Sequence, residues 1–150
     1  MHQKTFAILK PDSVQRKLTG RIISRIEDKG YKIAAMKMIH MDEETASRLY
    51  AIHKGKFFYD TLMKFMTSSP CIVMILEGEN VINEYRKMMG STNPQDAAPG
   101  TIRGDFGIRA ERNLVHGSDS EKSAKYEIGI FFTEEDISKY SPDMHKWMYV

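Results

Sequence analysis

Between Asn113 and Ser120 the chain reads Asn-Leu-Val-His-Gly-Ser-Asp-Ser, a short apolar run that ends on a histidine and passes into small, oxygen-bearing residues. A histidine at a strand end, followed by a glycine that lets a ligand approach, is placed to do chemistry at an accessible rim. Ser118, Asp119 and Ser120 suit the opening of a helix, whose unpaired N–H groups and positive dipole end attract phosphate. Glu127 lies seven residues after Ser120, close to two turns, on the Ser120 side of such a helix and ~10 Å along it. Its carboxylate orients the imidazole of His116 if the strand packs across that face. A neutral ring nitrogen held in this way can attack phosphorus, so the pair suits nucleophilic catalysis. Spacing alone also leaves open an ordinary capped turn with a structural histidine. Lys10, Arg86 and Arg103 each flank a predicted strand or helix end, where phosphate-binding cations sit; taken singly, each reads as a solvated surface charge.

The elements that must position these groups are legible in the hydrophobic pattern. Thr5–Leu9 is a short apolar run cut off by Lys10-Pro11-Asp12, which predicts a buried first strand ending in a turn. Thr19 is expected to cap a helix bearing Leu18, Ile22 and Ile26, with Gly30 as its left-handed stop. Tyr31–His40 reads as a strand. Asp42 starts a helix with Ala46, Leu49, Tyr50 and His53 on one face, and after Lys54-Gly55-Lys56 a second helix carries Phe58, Leu62, Phe65 and Met66. Cys71–Leu76 predicts a central strand, and Val81, Ile82, Tyr85 and Met89 the apolar side of the next helix, closed by Gly90. Ser91–Arg109 reads as one long irregular stretch, then Asn113–His116 as a last strand and Ala124, Ile128 and Phe131 as a helix face. This order predicts an α+β fold: a ferredoxin-like βαββαβ four-stranded antiparallel sheet with a two-helix insertion and a C-terminal extension, in one domain over residues 1–150.

Composition narrows the function classes. The chain has 150 residues, is 41% hydrophobic, and balances 22 basic against 20 acidic side chains, which suits one globular domain and argues against a general nucleic-acid coat. Cys71 is the only cysteine, so no internal disulfide forms, and a reducing, cytoplasmic setting is expected. The longest apolar run is far short of a membrane span, and no secretory signal is visible at the start. P-loop, dinucleotide-binding and His-Glu-x-x-His zinc motifs are absent. The histidines at 2, 40, 53, 116 and 145 show no metal-ligand spacing. A non-catalytic nucleic-acid module on the same sheet is a rival reading, but strands of the aromatic RNP1 type are missing and nucleic acid is not the expected partner.

Three separated segments then bring a family into view. Lys10-Pro11-Asp12-Ser13-Val14-Gln15-Arg16, Asn93-Pro94 with Pro99-Gly100-Thr101-Ile102-Arg103-Gly104-Asp105-Phe106, and Asn113 through Ser120 together closely resemble nucleoside diphosphate kinase, from about residue 4 to the C-terminus. The resemblance implies transfer of the γ-phosphoryl group of a nucleoside triphosphate to a nucleoside diphosphate, by a ping-pong route through phosphorylated His116. It implies Glu127 as the carboxylate that orients the ring, with Ser118 beside it. Lys10 and Asn113 match residues that meet the sugar hydroxyls, with Lys10 also near phosphate. Tyr50, Arg86, Thr92 and Arg103 match the phosphate-facing set, and Phe58 and Leu62 the entrance where the base lies flat. Mg²⁺ is implied as cofactor, held chiefly by nucleotide oxygens and water rather than by a protein carboxylate cage.

The chain departs from the family pattern in places. Ala110 stands where a larger aliphatic residue often covers the other side of the base. Phe57 replaces a proline before the stacking phenylalanine, and Ser13 stands where glycine or alanine is usual. Altered nucleotide affinity with broad base tolerance is therefore expected, not loss of reaction. The resemblance also implies a homo-hexamer or tetramer, with the Ser91–Arg109 stretch and the tail 145–150 contacting neighbouring subunits.

Overall fold

Apolar runs too long for alternation demand cover on both faces, and the structure supplies it. In the computed structural model, which describes residues 1–149, β1 (His2–Leu9), β2 (Lys32–Ile39), β3 (Cys71–Glu79) and β4 (Val115–Gly117) form one sheet in the order β2-β3-β1-β4. All neighbouring pairs are antiparallel, and β1 runs against β3 from His2 opposite Glu79 to Leu9 opposite Ile72. The ferredoxin-like α+β arrangement expected from the sequence is present. Val150, the last residue of the tail expected to dock on a neighbour, lies outside the described residues.

On one face Phe6, Ile8, Val73 and Ile75 pack against α3 (Glu43–Leu49), α4 (Tyr59–Met66) and α7 (Glu121–Phe131) through Ala46, Leu49, Phe65, Met66 and Phe131. On the other, Ala7, Leu9, Met74 and Leu76 pack against α2 (Thr19–Lys29) and α5 (Val81–Met89) through Ile22, Ile26, Val81, Tyr85 and Met89. Successive residues of a strand point to opposite faces, so both sets of side chains are buried and the central strands read as continuously apolar. Each such buried Val, Leu, Ile, Phe or Met side chain contributes about 1.5–3 kcal/mol of transfer free energy. Two short helices, α1 (Pro11–Gln15) and α6 (Ile102–Phe106), and a last turn of helix, α8 (His145–Met148), complete the chain.

Local expectations hold where a local cause dominates and shift where it does not. Gly30 ends α2 in the left-handed region, with φ 101°, and the Asp42 side chain accepts from the Thr45 N–H at 2.8 Å to cap α3. Thr19 is not a cap. Leu18 already has helical backbone and occupies the capping position, so Thr19 falls inside the first turn. The Lys10-Pro11-Asp12 turn continues into α1, since proline at the first helical position has its φ preset. The stretch from Ser91 to Arg109 is less irregular than expected: Pro94–Asp96 is a 3₁₀ turn, and α6 is capped by Thr101, whose hydroxyl accepts from Gly104 N–H at 2.9 Å. The final strand begins only at Val115, because Leu114 has φ 74° and cannot lie in a sheet.

Candidate active site

The site is assembled where β4 meets the start of α7. β4 is only three residues long and is held by β1, with Ala7 opposite Gly117, Ile8 opposite His116 and Leu9 opposite Val115. Gly117 permits this placement: a Cβ there would lie 2.9 Å from the Tyr85 ring and 3.0 Å from Met89 Sδ. Ser120 caps α7 by accepting from Ser123 N–H at 3.1 Å. The helix then carries Glu127, buried, back across the strand end.

His116 Nε2 lies 2.9 Å from Glu127 Oε1, and Ser118 Oγ donates to the same oxygen at 2.7 Å. A carboxylate accepts, so Nε2 carries the proton and Nδ1 keeps its lone pair; the tautomer follows from the partner. The ring is wedged between aromatic edges, with the Phe6 centroid at 6.1 Å and the Tyr50 centroid at 6.5 Å, the latter nearly perpendicular. Tyr50 is buried, its hydroxyl has no hydrogen-bond partner among the described residues, and burial with Cys71 and Glu127 nearby pushes its pKa up.

The cations form a second layer. Lys10 follows β1, and its Nζ donates to Asn113 Oδ1 at 2.9 Å, while Asn113 Nδ2 donates to the Thr92 carbonyl at 3.0 Å. Burial lowers the Lys10 pKa from 10.5 to about 8, helped by the Arg103 guanidinium and opposed by Asp12. Arg103 is buried as well. Its Nε donates to the Asn113 carbonyl at 3.0 Å, Nη1 to the Gly90 carbonyl at 3.0 Å and Nη2 to the Val115 carbonyl at 2.7 Å, so it builds the wall as much as it charges it. Arg86, exposed near the end of α5, donates from Nη1 to the Gly117 carbonyl at 3.1 Å.

The structure therefore brings His116, Glu127 and Ser118 into one cluster, and Lys10, Asn113 and the Thr92 backbone into another, with Arg86 and Arg103 bound to β4 carbonyls. Phe58 and Leu62 lie half-buried at the start of α4, and Ala110 is exposed in a 3₁₀ turn over Ala110–Arg112; none of the three joins the hydrogen-bonded clusters. Phe57 is 97% exposed and meets Phe58 edge to face at 5.4 Å. Phe58 also packs on His53 at 5.2 Å. His53, expected on the α3 face, lies instead in a 3₁₀ turn over Ala51–His53, because α3 ends at Leu49; burial, Lys56 and His116 push its pKa down. Asp12 and Ser13, which bind the Leu114 peptide groups, carried no local signal, because their partner lies about a hundred residues further along the chain. Among the described residues, no cluster of three or more His, Cys, Asp or Glu is arranged to hold a metal ion.

A carboxylate-oriented imidazole among buried cations, on a ferredoxin-like sheet, marks a phosphotransferase. Comparison with known proteins agrees. A family model described as nucleoside diphosphate kinase matches residues 3–137. The nucleoside diphosphate kinase of Methanocaldococcus jannaschii is 56% identical over 137 residues, covering 91% of this chain and 98% of its own. That of Staphylococcus epidermidis is 49% identical over 147 residues, covering 98% and 99%. Among solved structures, a halophilic nucleoside diphosphate kinase from Halobacterium salinarum in complex with CDP superposes with a TM-score of 0.98 at 43% identity, covering 100% of both chains. The chain belongs to the nucleoside diphosphate kinase family.

Proposed function

We propose that the whole chain acts as one kinase domain that moves a γ-phosphoryl group between nucleotides in two half-reactions through His116. The observation that carries this reading is the hydrogen bond from His116 Nε2 to Glu127 Oε1 at 2.9 Å, which leaves Nδ1 as the free nucleophile. In the first half-reaction the Nδ1 lone pair attacks the γ-phosphorus. The bond to the β,γ-bridging oxygen breaks, and the nucleoside diphosphate leaves with that electron pair. The ring becomes positively charged as the N–P bond forms, and the Glu127 carboxylate, steadied by Ser118, stabilises that charge. In the second half-reaction a terminal phosphate oxygen of another nucleoside diphosphate attacks the phosphorus, the N–P bond breaks, and the ring regains its lone pair.

Lys10 and Asn113 are suited to the sugar hydroxyls, with Lys10 also within reach of phosphate. Tyr50, Arg86, Thr92 and Arg103 face the phosphates in this reading. Tyr50's unpartnered hydroxyl, buried beside the imidazole, supports that role. Lys10, Arg86, Arg103 and Asn113 are cationic or neutral, and the Glu127 carboxylate is taken up by His116 and Ser118, so Mg²⁺ fits here on the nucleotide's own phosphate oxygens and water. When bound it neutralises charge between the phosphates.

Phe58, half-exposed at the entrance, offers a face to the base with few edge hydrogen bonds, which supports broad base tolerance; Leu62 lies beside it, and exposed Ala110 gives little cover opposite. The Halobacterium salinarum relative is in complex with CDP, which supports acceptance of a pyrimidine nucleotide here. The single buried cysteine suits a reducing cytoplasm, and no helix among the described residues is long and apolar enough to cross a membrane.

Initial velocities with varied donor and acceptor test the route. Parallel double-reciprocal lines are expected for both purine and pyrimidine acceptors. Intersecting lines would show that both nucleotides must be bound together and would exclude the ping-pong route.

A further inference from the structure

We propose that Asp12, helped by Ser13, is a positioning residue for the transfer, holding a strained turn at Leu114 from which the reacting imidazole is hung. The inference rests on the reading of His116 as nucleophile and adds the residues that fix its backbone.

Leu114 is fully buried and has φ 74°, a region where leucine is strained. The Val115 N–H donates to the Asn113 carbonyl at 2.8 Å, closing a three-residue ring around it. This is a γ-turn of the rarer, strained hand, which persists only where its surroundings hold it. The surroundings do so from two sides. Asp12 Oδ2 accepts from the Leu114 N–H at 3.1 Å. The Leu114 carbonyl accepts from Ser13 Oγ at 2.6 Å and from the Lys10 N–H at 2.8 Å. Arg103 takes the carbonyls before and after, those of Asn113 and Val115.

Asp12 is the only side chain in this set that grips an N–H. It is buried, and among the described residues its second oxygen, Oδ1, has no hydrogen-bond partner, so the Leu114 N–H is the long-range hydrogen bond that this carboxylate makes away from water. Burial accordingly raises its pKa, with the Lys10 ammonium opposing. The two arms of the turn lead to different duties. Asn113 is tied independently, through its side chain, to Lys10 Nζ and the Thr92 carbonyl. His116 stands two residues beyond Leu114, and its register depends on the turn and on three residues of β4. Loosening the turn should therefore misplace the nucleophile more than it weakens nucleotide binding, because in-line transfer is sensitive to shifts of about 1 Å.

Three variants of the full chain test this: Asp12→Ala, Asp12→Asn, which keeps an acceptor but removes the charge, and Ser13→Ala. The readouts are the single-turnover rate of phosphoenzyme formation with saturating MgATP, ADP affinity by calorimetry, and amide exchange at Leu114. Asp12→Ala is expected to slow phosphoenzyme formation by roughly tenfold or more, with ADP affinity within about threefold of native and faster exchange at Leu114. Asp12→Asn should restore the rate to within about threefold, and Ser13→Ala should lose roughly two- to fivefold. The proposal is overturned if folded Asp12→Ala is phosphorylated at the native rate, if Asn is as slow as Ala, or if ADP affinity falls in step with the rate. Should Asp12→Ala fail to fold, Asp12→Ser decides, since a serine hydroxyl is too short to reach the Leu114 N–H, and a native rate there overturns the proposal. A native chain that takes no phosphate defeats the reading of His116 instead, and the Leu114 exchange rates still report whether Asp12 holds the turn.

Discussion

Lys10 keeps its ammonium almost entirely out of water, and the consequence for stability has a definite sign. Burial pushes its pKa down to about 8 in the native chain, against 10.5 for a free lysine side chain. Between those values the unfolded chain holds a proton that the native chain lacks, so stability rises with pH across that window; below pH 8 both states are protonated and the native state bears the full penalty. The penalty is of the order of 3 kcal/mol. An anionic phosphate beside Lys10 would draw its pKa back up, so nucleotide binding should take up protons at about pH 8.5. Calorimetry of ADP binding in buffers of different ionisation enthalpy is expected to show this uptake in the native chain and not in Lys10→Met. Equal proton uptake in both would show that Lys10 does not meet the phosphates.

Elements set by local pattern could be read directly, and those set by distant partners could not. β3 is recognisable as an unbroken β-branched and aliphatic run, and α2 and α5 by apolar spacing closed by Gly30 and Gly90, both at positive φ. The approach of Glu127 to His116 was readable only as a condition, because helix period fixes where a carboxylate lies on its own helix but not which strand crosses it. The late start of β4 and the grip of Arg103 on three carbonyls depend on packing between segments far apart, which spacing does not encode. By sequence the glycine after the histidine is room for a ligand, yet in the fold its tightest neighbours are Tyr85 and Met89 of α5. Gly117→Ala should therefore force α5 from β4, at a cost of about 1–3 kcal/mol, and disturb the Arg86 bond to the residue 117 carbonyl. A lower melting temperature with slower phosphoenzyme formation is expected; an unchanged melting temperature would mean that α5 yields freely.

The molecule as a whole leaves one sheet edge and one tail in search of partners. β2 is an edge strand with Met36 and Met38 exposed, although the C-terminal segment covers part of it: Ser138 N–H donates to the Ala34 carbonyl at 2.8 Å, and Lys32 Nζ donates to the Tyr140 carbonyl at 2.5 Å. Trp147 remains 84% exposed at the end of that segment. These surfaces are open to the homo-hexamer or tetramer that the family resemblance implies, and light scattering should give a mass several times that of the chain, whereas 17.3 kDa would contradict assembly. The account depends above all on His116 as a temporary phosphate carrier. The direct measurement is to mix the protein with γ-labelled ATP and Mg²⁺, quench in alkali, digest, and locate the label. Label is expected on the peptide containing His116, stable in alkali, lost in acid, discharged by an added nucleoside diphosphate and absent from His116→Ala. A native protein that stays unlabelled, or that carries the label on another residue, would contradict the account.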